Sequence, residues 1–250
     1  MKLNVIDAGK LKGNKLNLMT LGDIHLGAKD CAEDKFYEYV KWISKQKDTK
    51  TLLMGDMINC GLRNSVGAGS YDDKNLVQDQ MEEIVEALKP LKGRMVGLHT
   101  GNHEQRIFNS TGIDVSKIMA KDMGIPYLGW SVFNYVKVGD QAYDIYSTHG
   151  ASGATQPHTK IRGCIKLSYS FDADIYLMGH VHRLDFAYGL RTYYDRKMKC
   201  VKEKKKLYGL TGHFLKYEDS YAEVKNLKKE TTGALRLKLY KDKWDIHAQM

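Results

Sequence analysis

Five short groups of side chains stand at the ends of apolar runs in this 250-residue chain: Asp23-Ile24-His25, Gly55-Asp56, Gly101-Asn102-His103-Glu104, His149-Gly150 and Gly179-His180-Val181-His182. Asp23, His25, Asp56, Asn102, His149, His180 and His182 make seven candidate metal ligands. That is too many for one tetrahedral zinc. It suits two ions that share the Asp56 carboxylate, which has one oxygen for each. Oxygen and imidazole donors without thiolate favour Mn, Fe, Zn or Ni over Ca or Mg, and Mn²⁺ is the expected pair of ions. Two divalent ions about 3.5–4 Å apart can hold a bridging hydroxide and clamp a phosphoryl oxygen for in-line attack. His103, next to Asn102, is left over from the ligand count. It is free to bind a phosphate or to protonate a leaving oxygen.

The groups need elements to position them. Lys15 to Leu21 alternates apolar and polar side chains and reads as a strand that delivers Asp23. Thr51 to Met54 and Met95 to Leu98 read as buried strands ending at Asp56 and at a loop carrying Asn102 and His103. Between them, Glu33 to Lys45 and Leu76 to Leu88 have helical spacing, so the first half repeats strand, loop and helix, the rhythm of an α/β sheet. Asn59 to Asp73 is a long loop beside the candidate site. Ile113 to Met123 and Ile161 to Tyr169 are expected helices, and Lys2 to Asp7 an expected strand. Val132 to Val138 and Ala142 to Ser147 flank Gly139-Asp140 as a hairpin whose second strand leads to His149. Asp174 to Met178 delivers His180 and His182. After Arg183 the chain is basic, rich in Tyr and β-branched residues, with strands at Phe186 to Tyr194, Ala234 to Tyr240 and Trp244 to Ala248. Lys202 to Lys206 reads as an exposed hairpin tip or loop. One domain over residues 1–250 is expected, with a β-rich basic part from about 183.

A formal net charge of +9 points to an anionic partner or to a solvated basic surface. Cys31, Cys60, Cys164 and Cys200 form no Cys-x-x-Cys pair, which fits reduced thiols. Charged and polar residues break up the N-terminus, and no run of about 18 apolar residues is present. The expectation is a cytoplasmic protein that makes no use of a membrane. The sequence leaves the oligomeric state open.

In order and spacing the five groups resemble the signature of the calcineurin-like metallophosphoesterases: Asp-x-His, Gly-Asp, Gly-Asn-His-Asp/Glu, His and Gly-His-x-His. The resemblance runs from Asp23 to His182 and implies a four-layer αββα sandwich with the site at strand ends. It implies one ion on Asp23, His25 and His182, a second on Asn102, His149 and His180, and Asp56 between them. It places His103 beside the ions as acid or phosphate ligand. The Asp-Arg-Gly element of protein Ser/Thr phosphatases is missing after Gly55-Asp56. The chain looks more like the small bacterial and phage phosphoesterases and the catalytic domains of repair nucleases. The function expected is hydrolysis of a phosphate ester, foremost a phosphodiester in nucleic acid or nucleotides, with a phosphomonoesterase as the alternative. A non-catalytic interaction module would require a lost ligand or a replaced His103, and neither is found. Arg106 and His158 are candidate contacts to the substrate phosphate, whereas His99, His213 and His247 read as structural. Tyr188, Tyr193, Tyr194 and Tyr208, interleaved with Lys and Arg, read as an amphipathic hairpin or as a base-stacking surface.

Overall fold

Strand β2 (Lys15–Leu21) shows how the layers arise. Leu16 and Leu18 point to one side and Met19 and Leu21 to the other, and all four are buried. A strand buried on both faces belongs in the middle of a layered α/β sandwich. The computed structural model describes residues 2–62 and 73–250. Strands β2, β3 (Thr49–Leu53), β4 (Met95–His99) and β5 (Tyr127–Gly129) run parallel and in that order. Strands β12 (Arg236–Tyr240) and β13 (Ile246–Gln249) add antiparallel to β2, which completes a six-stranded sheet.

The second sheet has seven strands. Its main path is β1 (Lys2–Asp7), β6 (Ser131–Val138), β7 (Gln141–Thr148), β8 (Ile175–Met178), β10 (Cys200–His213) and β11 (Gly233–Ala234). Strand β9 (Leu184–Asp195) pairs antiparallel with β10.

Helices α1 (Glu33–Lys45), α2 (Val77–Leu88), α3 (Asn102–Thr111) and α4 (Val115–Met123) cover the outer face of the six-stranded sheet. Phe36, Val40 and Ile43 on α1, with Ile84 and Leu88 on α2, pack there against Leu21, Leu53 and Leu98. Between the sheets lie Leu18, Leu52, Val136, Ile145, Leu177 and Leu237. Helix α5 (Pro157–Lys166) closes the fourth layer, where Cys164 meets Tyr176 and Met178. This is the αββα sandwich expected from the sequence. A one-turn helix, α6 (Tyr221–Val224), follows in the stretch between β10 and β11. No helix among the described residues is long and apolar enough to cross a membrane.

Two expectations change. Gly101-Asn102-His103 is not carried on a loop, because α3 starts at Asn102 immediately after the β4 end. The lysine run is neither a tip nor a loop. Residues 202–206 lie inside β10, and the turn sits at Arg196–Lys199. The sequence misleads here because four lysines in a row of five suggest solvent on all sides. Their ammonium groups instead find carboxylates: Lys202 on Asp195 at 2.6 Å, Lys204 on Asp174 at 2.6 Å, Lys205 on Asp245 at 3.3 Å and Lys206 on Asp172 at 3.0 Å. Of the long loop expected from Asn59 to Asp73, residues 63–72 lie outside the described residues.

Register also places the lysines. β10 runs parallel to β8 with Leu207 beside Ile175 and Leu210 beside Met178. Lys202 to Lys206 therefore precede the start of β8, while His180 follows its end. At a rise of about 3.3 Å per residue, Lys202 lies about 26 Å along the strand from Leu210. Replacing Lys202, Lys204, Lys205 and Lys206 with alanine is expected to lower the melting temperature and leave hydrolysis of a small chromogenic phosphodiester unchanged. Most of the loss should come from Lys206, which is 5% exposed and also donates to the Ala173 carbonyl. A buried group stripped of its partner costs about 1–3 kcal/mol. A drop in turnover at full thermal stability would tie these lysines to the site.

Candidate metal centre

Strands β2, β3 and β4 are neighbours and parallel, so Asp23, Asp56 and Asn102 leave the sheet at the same end. Strands β7 and β8 are also parallel neighbours and release His149 and His180 from the facing sheet. Carboxyl ends of strands are where open α/β sheets build their sites.

The backbone is bent hard to bring the side chains together. Asp23 (φ 48°), His25 (53°), Asp56 (47°), His180 (67°) and His182 (46°) all occupy the left-handed region. They are five of the ten non-glycine residues found there among the described residues. Such conformations cost of order 1–3 kcal/mol each and persist where surrounding contacts fix them. Here the contacts are cross-loop hydrogen bonds. Asp23 N donates to Gly55 O at 2.9 Å, and Ile24 N and His25 N donate to Asp56 O at 2.8 and 3.1 Å. His180 N donates to the Asp23 carboxylate at 3.0 Å. Two glycines are required by the crowding. Gly55 has φ 88°, and a Cβ there would lie 2.7 Å from Thr100 O. A Cβ on Gly101 would collide with Asp56 Oδ1.

The seven candidate ligands converge into two groups. Ligand atoms of Asp23, His25, Asp56 and His182 lie within 4.8 Å of one another, and so do those of Asp56, His149 and His180. Asn102 joins the second group: its Oδ1 is 2.7 Å from His180 Nδ1 and 3.0 Å from His149 Nε2. In the first group His25 Nε2 faces His182 Nε2 at 3.1 Å, and His182 Nε2 is 3.4 Å from Asp23 Oδ1. Asp56 alone belongs to both.

The chemistry of these donors fits a pair of divalent cations. Asp56 Oδ1 accepts from His103 N at 2.8 Å, whereas Oδ2 is buried and has no hydrogen-bond partner. Burial alone would raise the Asp56 carboxyl, but the imidazoles of His149, His103 and His25 hold it well below the usual carboxylate range. An ionised oxygen that accepts no hydrogen bond and lies between the two groups of imidazoles suits a cation. His149 Nδ1 donates to Met54 O at 2.8 Å, which fixes the tautomer and turns Nε2 toward Asp56 Oδ2, 3.3 Å away. That is the outer-shell arrangement of metal-binding histidines. Burial lowers the His149 pKa, yet Asp56 overrides it and raises it to about 10. A metal must therefore displace a proton here.

His103 stands beside the groups, with Nε2 4.0 Å from Asp56 Oδ2. Its Nδ1 donates to Asn59 O at 2.7 Å, and Arg106 Nη2 donates to Nε2 at 3.0 Å. Burial lowers its pKa; Asp56 opposes this and Arg106 adds to it. The resting imidazole is neutral, with a guanidinium on its open nitrogen.

A family model described as calcineurin-like phosphoesterase matches residues 16–184, more than half of the chain. The chain belongs to that family. It is a metal-dependent phosphoesterase, and its ligand clusters are those of a dinuclear divalent site. Solved structures it is similar to include a double mutant of Vps29 from Entamoeba histolytica, at 13% identity over 90% of this chain and 85% of that one, with TM-score 0.41. A predicted phosphoesterase from Streptococcus pneumoniae shares 13% identity over 95% of this chain and 99% of that one, with TM-score 0.38. A hypothetical protein from Pyrococcus horikoshii shares 9% over 94% and 87%, with TM-score 0.41. No curated protein matches the sequence.

The phosphoesterase site also uses residues that the spacing did not single out. Glu104 is 2% exposed, and its carboxylate accepts from four backbone amides: Asp56 N at 3.1 Å, Met57 N at 2.7 Å, Ile58 N at 3.3 Å and Gly101 N at 3.0 Å. It holds the Asp56 turn against the start of α3. Burial and the nearby Asp56 push its pKa up to about 7. Glu104→Gln presents an amide NH₂ to two of these donors. A stranded buried donor costs about 1–3 kcal/mol, so a lower melting temperature and weaker metal retention are expected together. Unchanged melting and metal content would show that the turn holds without the carboxylate. A buried Glu after Asn-His was legible only as part of the motif.

The remaining histidines divide. His99 is buried between Gly129 O (2.9 Å) and Ser147 Oγ (2.8 Å), a core residue with both nitrogens engaged. His247 is on the surface beside Asp245. His158 is exposed on α5 and lies outside the residues that line the cavity, where Lys160 stands instead. His213, read as structural, lines the cavity and stacks on His182 with ring centroids 5.5 Å apart. Arg106 lines it as expected. Nothing in the sequence spacing ties His213 to His182; the β9–β10 hairpin, with Thr211 beside Leu184 and Gly212 N on Arg183 O, brings them together.

Proposed function

We propose that this phosphoesterase hydrolyses phosphodiesters of the nucleotide type with two Mn²⁺ ions. Asp23, His25 and His182 would hold one, Asn102, His149 and His180 the other, and Asp56 both. The observation that supports a diester is the cavity, about 770 Å³, that opens at the ligand clusters and continues past His182 to residues 215–230. A diester needs room on both sides of phosphorus, and a monoester needs it on one. Bound ions supply Lewis-acid charge for attack on phosphorus. Arg106 gives its guanidinium to the entering phosphate, which uncovers His103 Nε2. The phosphate's negative charge raises the proton affinity of that imidazole. His103 then takes a proton from solvent at Nε2, keeping its Nδ1–H on Asn59 O, and passes the Nε2 proton to the leaving oxygen.

The test is a panel with added Mn²⁺: bis-p-nitrophenyl phosphate, p-nitrophenyl phosphate, cyclic nucleotides, and single- and double-stranded DNA. Diesters are expected to be turned over faster than p-nitrophenyl phosphate, and chelator to abolish the activity. Faster hydrolysis of the monoester than of any diester turns the reading to a phosphatase. Activity that survives exhaustive chelation removes the metals from the reaction.

A further inference from the structure

The far wall of the cavity is a built surface. It comes from the chain between β10 and β11, where Leu215, Tyr217, Ala222 and Leu227 face the same space as the ligand clusters. Lys216 and Lys228 line it too, and neither has an ion-pair partner among the described residues. This contrasts with the lysines of β10, each of which pairs with a carboxylate at the other end of the sheet.

The wall is fixed at both ends. At the start, Phe214 is fully buried and packs edge-on against Phe36 and Tyr39, at 5.8 and 5.3 Å. Lys216 N donates to Asp30 O at 2.8 Å. At the other end, Glu230 takes Lys160 at 3.2 Å and Arg183 at 2.7 Å, with all three side chains less than 20% exposed. A wall held this way is formed before a ligand arrives, as small-molecule sites usually are, and the cavity falls in their range of about 300–1,000 Å³.

We infer that this wall is a subsite for a nucleoside diphosphate, with the base against Leu215, Tyr217 and Leu227 and the second phosphate on Lys216 and Lys228. The assignment of the first phosphate to the ligand clusters rests on the proposed function; the wall's chemistry does not. Apolar and aromatic surface next to two ammonium groups that make no ion pair among the described residues matches a planar base next to a charged phosphate, although Asp30 and Asp219 line the same space. A polynucleotide would need cations along a track, and the cations of β10 are already paired.

The probe is α,β-methylene-ADP, which resists hydrolysis between its phosphates, titrated into the Mn²⁺-loaded full chain by calorimetry. Lys216 and Lys228 are exposed, so Lys216→Ala/Lys228→Ala should fold, which a melting curve checks. The double variant is expected to bind the probe at least about fivefold more weakly, the upper end for a single exposed ion pair. A smaller loss overturns the inference. Tyr217→Ala is expected to weaken the probe and leave methylenediphosphonate unaffected; equal loss for both overturns the base-binding wall. Tighter binding of a single-stranded oligodeoxynucleotide than of the probe to the wild type also overturns it. Wild-type hydrolysis of bis-p-nitrophenyl phosphate is measured alongside. Its absence sinks the phosphodiesterase reading while the binding data still decide the subsite.

Discussion

Asp56→Asn is expected to strip both metal ions from the protein and to abolish its activity. Every other candidate ligand belongs to one cluster, and Asp56 belongs to two. Its Oδ1 is engaged by His103 N, so the oxygen available to the ions is Oδ2. Asparagine can keep the Oδ1 bond, but it replaces Oδ2 with an NH₂ that has no lone pair to give. It also removes the negative charge of a buried carboxylate that offsets two cations. The loss in kcat should exceed the roughly 10²–10³-fold that follows removal of one preorganised electrostatic group. The fold should survive, because the lost carboxylate is itself one reason why the buried Glu104 is pushed up to about 7. Elemental analysis and turnover of bis-p-nitrophenyl phosphate read the outcome. Full activity with two ions per chain would end the bridging role. Loss of one ion only would assign Asp56 to a single site.

How far the site could be read from the chain depends on what each residue needs. The ligands were legible because each follows directly on a short buried strand, and a strand of four to seven residues announces itself by apolar pattern. Asp23 after Leu21, Asp56 after Leu53 and His180 after Met178 are all of this kind. Their left-handed backbone was not legible, because even Asp and His, which enter the left-handed region more often than most side chains, do so in only a small minority of positions. Helix α3 was missed because Asn102 and His103 are weak helix formers; Glu104 supports the start by accepting Gly101 N, a tertiary effect as much as a local one. The pattern gave an α/β sheet and the resemblance implied its four layers; the structure bears this out with Ile175 and Leu177 facing one core and Tyr176 and Met178 the other.

The lysine run failed for a different reason. Local composition reports charge but not partners, and Asp172, Asp174, Asp195 and Asp245 come from three separate parts of the chain. Only the register of β10 on β8 and β9 shows that these lysines belong to the sheet. His213 and the 215–230 wall were hidden likewise, because they reach the metal clusters through tertiary return and not through spacing.

His103→Asn should separate catalysis from metal binding. His103 completes neither ligand group, so both ions are expected to stay. Its backbone amide, which donates to Asp56 Oδ1, is unchanged by the substitution. What is lost is a titratable nitrogen 4.0 Å from the Asp56 carboxylate and the partner that holds Arg106. General acid catalysis contributes about 10²–10⁴-fold, and kcat should fall by that order. The loss should shrink for p-nitrophenolate, a leaving group that departs without a proton, and stay large for an alkoxide. KM offers a second check. If Arg106 is the phosphate ligand, freeing it from the imidazole should leave KM unchanged or lower it. If His103 itself binds the phosphate, KM should rise and the loss should be equal for good and poor leaving groups. A variant that sheds its ions would instead make His103 part of the metal shell.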